Sequence, residues 1–283
     1  RSSSAGFFHR PQSQKDSLGW TTPQSNRGYV AIGREKLATV EETGNMDALR
    51  GSAPDIKETM EIGREGVEGQ PNQWPDHLDD EGEKFKETML SFFEMCKDLH
   101  KQVMSAIALG MSLPEHFFDG FVNEGDNNLR LLHYPPVRKD VFKKNPNQVR
   151  AGEHSDYGSI TLLFQDQHGG LQVRSPKGTF VDATPIPDTI VVNAGDLLAR
   201  WSNDTIKSTR HRVIEPPRPE GQDEEDSSET YPSRYSIAYF CNPNNNKVIG
   251  ALPGTYGEEI NVTKKYADIT AGDYLVQRLT ATY

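Results

Sequence analysis

His154-Ser155-Asp156 sets an imidazole and a carboxylate two positions apart. On an extended chain, residues i and i+2 project from the same face, so both side chains can reach one ion. A third ligand must come from elsewhere. His211, in Ser208-Thr209-Arg210-His211-Arg212-Val213, opens a candidate strand and is placed to supply it. Two histidines and one carboxylate on one face of an ion leave three coordination positions open, which suits non-haem Fe(II) oxygenases. An isolated H-x-D is weak evidence, because surface His and Asp are common. Asp156 also reads as an Asx-turn residue and His211 as a satisfied core histidine.

More chemistry lies downstream in Arg234-Tyr235-Ser236. Arg234 and Ser236 share one side of a strand, and a guanidinium fork with a hydroxyl matches a carboxylate. Inside a barrel such a pair would anchor the far end of a dicarboxylate while an α-keto acid at the other end chelates a metal. Tyr134 would add a hydrogen bond. The competing readings are an ion-paired surface arginine and an amphipathic core tyrosine ahead of the Pro135-Pro136 turn.

These groups need a scaffold. From Asn128 the chain breaks into short apolar runs separated by turn residues: Leu129–His133, Ile160–Phe164, Leu171–Arg174, Thr179–Asp182, Ile190–Asn193, Arg212–Ile214 and Tyr235–Cys241. Regular short strands of this kind predict a sandwich or jelly roll. Residues 82–112 form the clearest helix, with Phe85, Met89, Phe92, Cys96, Leu99, Val103 and Ile107 at three- and four-residue steps. That stripe reads as core. A short helix over Ser3 to Phe8 opens the chain, a long irregular excursion follows to about residue 80, and a last helix spans Gly272–Thr282. The expected division is residues 1–127, helical and irregular, packing on a barrel of residues 128–283. Pro219–Pro232 carries six acidic residues with Gly, Pro and Ser, and reads as a solvated, mobile loop.

Composition limits the partners. The 283 residues carry a formal net charge of −10, which opposes binding to polyanions, so a small molecule is expected and nucleic acid is not. No apolar run approaches the roughly 20 residues of a membrane span. No secretory signal is visible, and Cys96 and Cys241 fit neither a zinc site nor a disulfide framework. A cytoplasmic location with two reduced core thiols is the expectation. The chain opens at Arg1, within what reads as a helix, which points to a longer natural chain.

Taken together, His154-x-Asp156, His211 after 54 intervening residues, and Arg234-x-Ser236 resemble the 2-oxoglutarate-dependent oxygenases of the isopenicillin N synthase-like group. Leu129-Arg130-Leu131-Leu132-His133-Tyr134-Pro135, Gly158-Ser159-Ile160-Thr161-Leu162-Leu163 and Val192-Asn193-Ala194-Gly195-Asp196 carry the same likeness. The resemblance implies a mainly β fold with flanking helices, a double-stranded β-helix (jelly roll). It implies Fe(II), 2-oxoglutarate and O2 as cofactor and reactants, and an N-terminal region of several dozen residues ahead of Arg1. Within the group, the text is most similar to fungal oxygenases that hydroxylate the methyl group of free thymine. For such a substrate Phe240, at even spacing from Arg234 and Ser236, would stack on the ring, Arg130 would donate to a ring carbonyl, and Tyr157 would form a side wall. Each also reads blandly, as core, ion-pair partner and rim residue. The other readings are a tailoring oxygenase acting on a larger natural product, an oxidase of the same fold that needs no 2-oxoglutarate, and a non-catalytic jelly-roll binding protein.

Overall fold

The structure, a computed structural model, describes residues 2–21, 26–33, 55–145, 148–216 and 230–282. Its larger sheet has six antiparallel strands in the order β1 (Gly28–Val30), β2 (Glu58–Gly63), β3 (Asn128–Tyr134), β12 (Arg234–Cys241), β6 (Ile160–Gln165) and β9 (Val191–Ala194). The smaller sheet runs β5 (Ala151–His154), β10 (His211–Val213), β7 (Leu171–Arg174) and β8 (Phe180–Asp182). Two strand pairs lie apart from these: β4 (Val137–Arg138) with β11 (Thr230–Tyr231), and β13 (Val248–Ile249) with β14 (Ile269–Thr270).

Alternation along the central strands sorts their side chains. On β12, Tyr235, Ile237, Tyr239 and Cys241 face the main core, whereas Ala238 and Phe240 join an inner cluster with Leu132, Tyr134, Ala151, Leu171 and Val213. Register does the same across strands: Arg234 lies opposite Tyr134, and Ala238 opposite Arg130. Cross-strand partners share a face, so Arg130, Tyr134, Arg234, Ser236 and Phe240 all turn toward the space between the sheets.

The outer face of the larger sheet packs on the long helix Asp80–Gly110. Asp79 caps that helix by accepting from the Gly82 amide at 2.8 Å, and Asp80, Glu81 and Glu83 complement the N-terminal end of its dipole. Phe93 meets Tyr239 edge-on at 5.1 Å, and Phe92 meets Phe164 at 5.1 Å. Truncating Phe93 to alanine would cost about 3–5 kcal/mol through lost burial and the cavity left behind.

Most elements follow the sequence reading to within two residues, and the jelly roll is present. Three points differ. The buried stripe of the long helix runs Phe85, Met89, Phe93, Cys96, His100, Met104 and Ala108, with Phe92, Leu99, Val103 and Ile107 on its flank. The stretch expected to be irregular up to residue 80 contains β1 and β2, which complete the larger sheet. The acidic segment ends in a strand, with Tyr231 buried and paired with Val137, while residues 217–229 lie outside the described residues. Cys96 and Cys241 are free and buried. Among the described residues, no helix is long and apolar enough to cross a membrane.

β2 is buried along its whole length although it holds two glutamates. Each is neutralised from distant parts of the chain. Glu58 accepts from Lys15 Nζ at 2.7 Å and Tyr29 Oη at 2.5 Å, and pairs with His133 Nδ1 at 2.6 Å. Glu61 accepts from Asn128 Nδ2 at 2.6 Å and lies 2.5 Å from Arg130 Nε. The first set ties the N-terminal helices to the sheet, and the second fixes a side chain on the inner face.

Candidate active site

The pairing of β10 with β5 sets His211 directly opposite His154, and Val213 opposite Ala151. Three residues on β5 thus span the interval of two on β10, a bulge that brings both imidazoles to one face. Their ring centroids are 4.3 Å apart. Asp156 follows just beyond β5, with its Oδ1 3.7 Å from His211 Nε2. One ligand atom from each of His154, Asp156 and His211 lies within 4.8 Å of the others.

The surroundings orient all three. His154 Nδ1 lies 2.8 Å from the Gly152 carbonyl and His211 Nδ1 3.2 Å from the Thr209 carbonyl. A carbonyl can only accept, so each Nδ1 carries the proton and each Nε2 presents a lone pair inward. Asp156 Oδ2 accepts from Thr161 Oγ1 at 2.8 Å and Asn193 Nδ2 at 2.9 Å, which leaves Oδ1 directed at the histidines. Burial and the nearby His211 push His154 well below the ordinary histidine range, toward the neutral form a metal needs. Burial alone would raise the Asp156 carboxyl. The two imidazoles and the bonds from Asn193 and Thr161 outweigh it and keep the group ionised. Neutral nitrogens and one fixed carboxylate oxygen are the donor set of a 2-His-1-carboxylate iron site, so the residues fit that metal.

The backbone behind the motif is tight. A Cβ on Gly158 would lie 2.4 Å from the Cys241 carbonyl oxygen, and one on Gly195 would lie 2.3 Å from the Gly158 carbonyl oxygen. Only glycine allows these approaches. They let the Asp196 amide donate to the Asp156 carbonyl at 2.8 Å and hold the loop after the aspartate.

A cavity of about 260 Å³ runs from these ligands along the inner faces of both sheets. Arg234, on its wall, is buried, donating from Nε to the Gly169 carbonyl at 2.8 Å and from Nη1 to Ser236 Oγ at 3.2 Å. Its guanidinium carbon lies 4.9 Å from the Tyr134 ring centre. Arg234, Ser236 and Tyr134 therefore come together as the sequence suggested. On the same wall Arg130 lies with its guanidinium carbon 5.4 Å from the Phe240 ring centre. Leu132, Leu163, Leu171, Val173 and Val213 supply apolar lining.

Tyr157 is the exception. It does not line the cavity, and the Arg278 guanidinium of the C-terminal helix (Ala271–Thr282) lies 4.7 Å from its ring centre. Alternation accounts for this: Asp156 turns inward, so its neighbour turns out. Sequence reasoning also missed three residues. Thr161 and Asn193 lie in stretches that carried the family likeness, yet nothing local marks them as partners of Asp156. Lys57 lines the cavity, paired with Asp55 at 2.8 Å, and precedes a strand that the sequence did not reveal.

Residues 125–243 match the 2OG-Fe(II) oxygenase superfamily, and residues 1–77 match the non-haem dioxygenase in morphine synthesis N-terminal family. Among solved structures, the full-length thymine 7-hydroxylase of Neurospora crassa in complex with alpha-KG and thymine is 58% identical, with a TM-score of 0.87, over 100% of this chain and 82% of that one. The 2-oxoglutarate-Fe(II) type oxidoreductase ppzD of Metarhizium rileyi is 35% identical over 98% of this chain and 76% of its own length. The proline hydroxylase buaE of Petromyces alliaceus is 36% identical over 98% of this chain and 82% of its own length.

Proposed function

Because this chain belongs to the 2-oxoglutarate–Fe(II) oxygenase superfamily and is a 2-oxoglutarate-dependent dioxygenase, we propose that its substrate is free thymine, hydroxylated at the methyl group. His154, Asp156 and His211 hold the iron. Arg234 and Ser236, with Tyr134 alongside, bind the distal carboxylate of 2-oxoglutarate. When bound, iron supplies the centre at which the keto acid and O2 react and a C–H bond is oxidised, with succinate and CO2 released.

The observation that carries the substrate reading is the pairing of Arg130 with Phe240 on the cavity wall. Phe240 offers a flat face for the pyrimidine ring, and Arg130, fixed by Glu61, donates to a ring carbonyl. Phe240 lies opposite Thr161 in the sheet, and Thr161 holds Asp156, so a ring stacked there lies beside the metal ligands. The apolar lining excludes water from the methyl group. Size supports a small substrate too, since about 260 Å³ falls below the roughly 300–1,000 Å³ of pockets for drug-sized ligands. The thymine named for the Neurospora structure points the same way.

Relatives at about a third identity carry other names, proline hydroxylase among them, which favours a fungal tailoring oxygenase as the second reading. Assaying 2-oxoglutarate decarboxylation with thymine, uracil, free proline and a panel of larger natural products separates the two. Thymine-stimulated succinate release with 5-hydroxymethyluracil as product supports the first. Stimulation by a larger compound and none by thymine replaces it with the second.

A further inference from the structure

We propose that Arg150 is a second cation for the distal carboxylate of the co-substrate, a positioning residue that strengthens binding through charge without touching the ligand. The inference rests on the reading of Arg234 and Ser236 as the carboxylate subsite.

Arg150 is 0% exposed, yet two of its guanidinium nitrogens, Nε and Nη1, have no hydrogen-bond partner among the described residues. Its Nη2 reaches only the Pro232 carbonyl, at 3.5 Å. A buried guanidinium with so little compensation is costly and calls for a counter-charge. Its backbone amide donates to the Val213 carbonyl at 2.8 Å, and the next residue, Ala151, lines the cavity with Val213. Arg150 thus lies behind the wall. The ionisable groups that act on it are Arg234, Tyr134, Asp166 and Tyr231.

Among the described residues, no carboxylate neutralises this end by direct contact. Asp166 accepts from the Tyr235 amide at 2.6 Å and lies 3.0 Å from His168 Nδ1. Arg234 donates to a carbonyl and a hydroxyl. Burial, then the charge of Arg234, push Arg150 down to about 10, which still leaves it cationic at neutral pH. Two guanidiniums therefore share a buried region with no described acid bonded to either. Charges there act over several ångströms with little screening. A carboxylate arriving at Arg234 relieves the repulsion between the two cations and gains attraction from both. A monocarboxylate keto acid gains neither.

Titration calorimetry on the Mn(II)-loaded protein without O2 tests this. The ligands are 2-oxoglutarate and 2-oxopentanoate, which has the same chain without the distal carboxylate. Arg150→Met should weaken 2-oxoglutarate about tenfold and change 2-oxopentanoate less than twofold, and Arg150→Lys should recover most of the loss. If the methionine variant does not fold, Arg150→Gln carries the same comparison. Equal weakening of both ligands, or no weakening of either, overturns the proposal. Arg234→Met is the control: if 2-oxoglutarate binds it normally, the carboxylate lies elsewhere and the subsite reading itself fails.

Discussion

The Arg130 guanidinium carbon lies 5.4 Å from the centre of the Phe240 ring, and its Nε lies 2.5 Å from Glu61 Oε1. A flat aromatic face and a fixed donor thus come from adjacent strands, locked by a buried carboxylate on a third. On the thymine proposal, the pair would select a small, flat, carbonyl-bearing ring. Stacking of a base on an aromatic side chain is worth about 1–3 kcal/mol. Phe240→Ala should therefore weaken thymine binding roughly five- to 150-fold, while the KM for 2-oxoglutarate stays near its original value. A parallel rise in both constants would place Phe240 in the packing of the site as a whole.

Asn193 and Thr161 should matter to the metal although neither is a ligand. They occupy one oxygen of Asp156 and so orient the other. Loss of such outer partners typically costs about 10–100-fold in metal affinity. Asn193→Ala should show that loss in a Co(II) or Mn(II) titration, and His211→Ala should lose both metal and turnover. Unchanged metal affinity in both variants would move the metal site elsewhere.

Arg234→Lys keeps a charge but loses the fork that bonds Gly169 and faces Ser236. Lysine is not conservative where planar recognition matters. The KM for 2-oxoglutarate should rise by about tenfold or more, with thymine binding little affected. An unchanged KM would contradict the assignment of the carboxylate to this end of the cavity.

Glu58 links pH to stability. Burial raises its pKa, but the bonds from His133, Lys15 and Tyr29 outweigh that and bring the net value below the ordinary 4.5. A group whose pKa is lower in the folded state stabilises the fold above its unfolded value, and that contribution fades as pH falls through the folded one. The gap in melting temperature between wild type and Glu58→Gln should be widest near pH 6–7 and should narrow below about 4.5. A gap constant across that window would mean the carboxylate contributes by shape, not charge.

How much of this was legible in the sequence follows from how local each signal is. β3 and β12 were readable because each is a short apolar run bounded by turn residues, as a strand buried on both faces is, and the two-residue alternation carried Arg130, Arg234, Ser236 and Phe240 to the cavity face. β2 was not readable. Its glutamates look solvated until Lys15, His133 and Arg130, far away in the chain, are seen to neutralise them. The stripe of the long helix shifted because the buried positions step mostly by four, through Phe93 and His100, and a histidine in the core breaks the apolar pattern that pointed to Phe92 and Leu99. Tyr157 fell on the wrong side for want of one step of alternation. Arg150 carried no signal, since burial without partners is visible only in three dimensions.

If thymine is the molecule oxidised at iron held by His154, Asp156 and His211, a single turnover must leave both atoms of O2 in identifiable products. A single-turnover reaction of the Fe(II)-loaded protein with 2-oxoglutarate, thymine and ¹⁸O2, analysed by mass spectrometry, tests it most directly. One labelled oxygen is expected in succinate, one in the hydroxymethyl group of 5-hydroxymethyluracil, and one CO2 for each thymine consumed. Labelled succinate formed at the same rate with and without thymine, with the pyrimidine recovered unchanged, would contradict it.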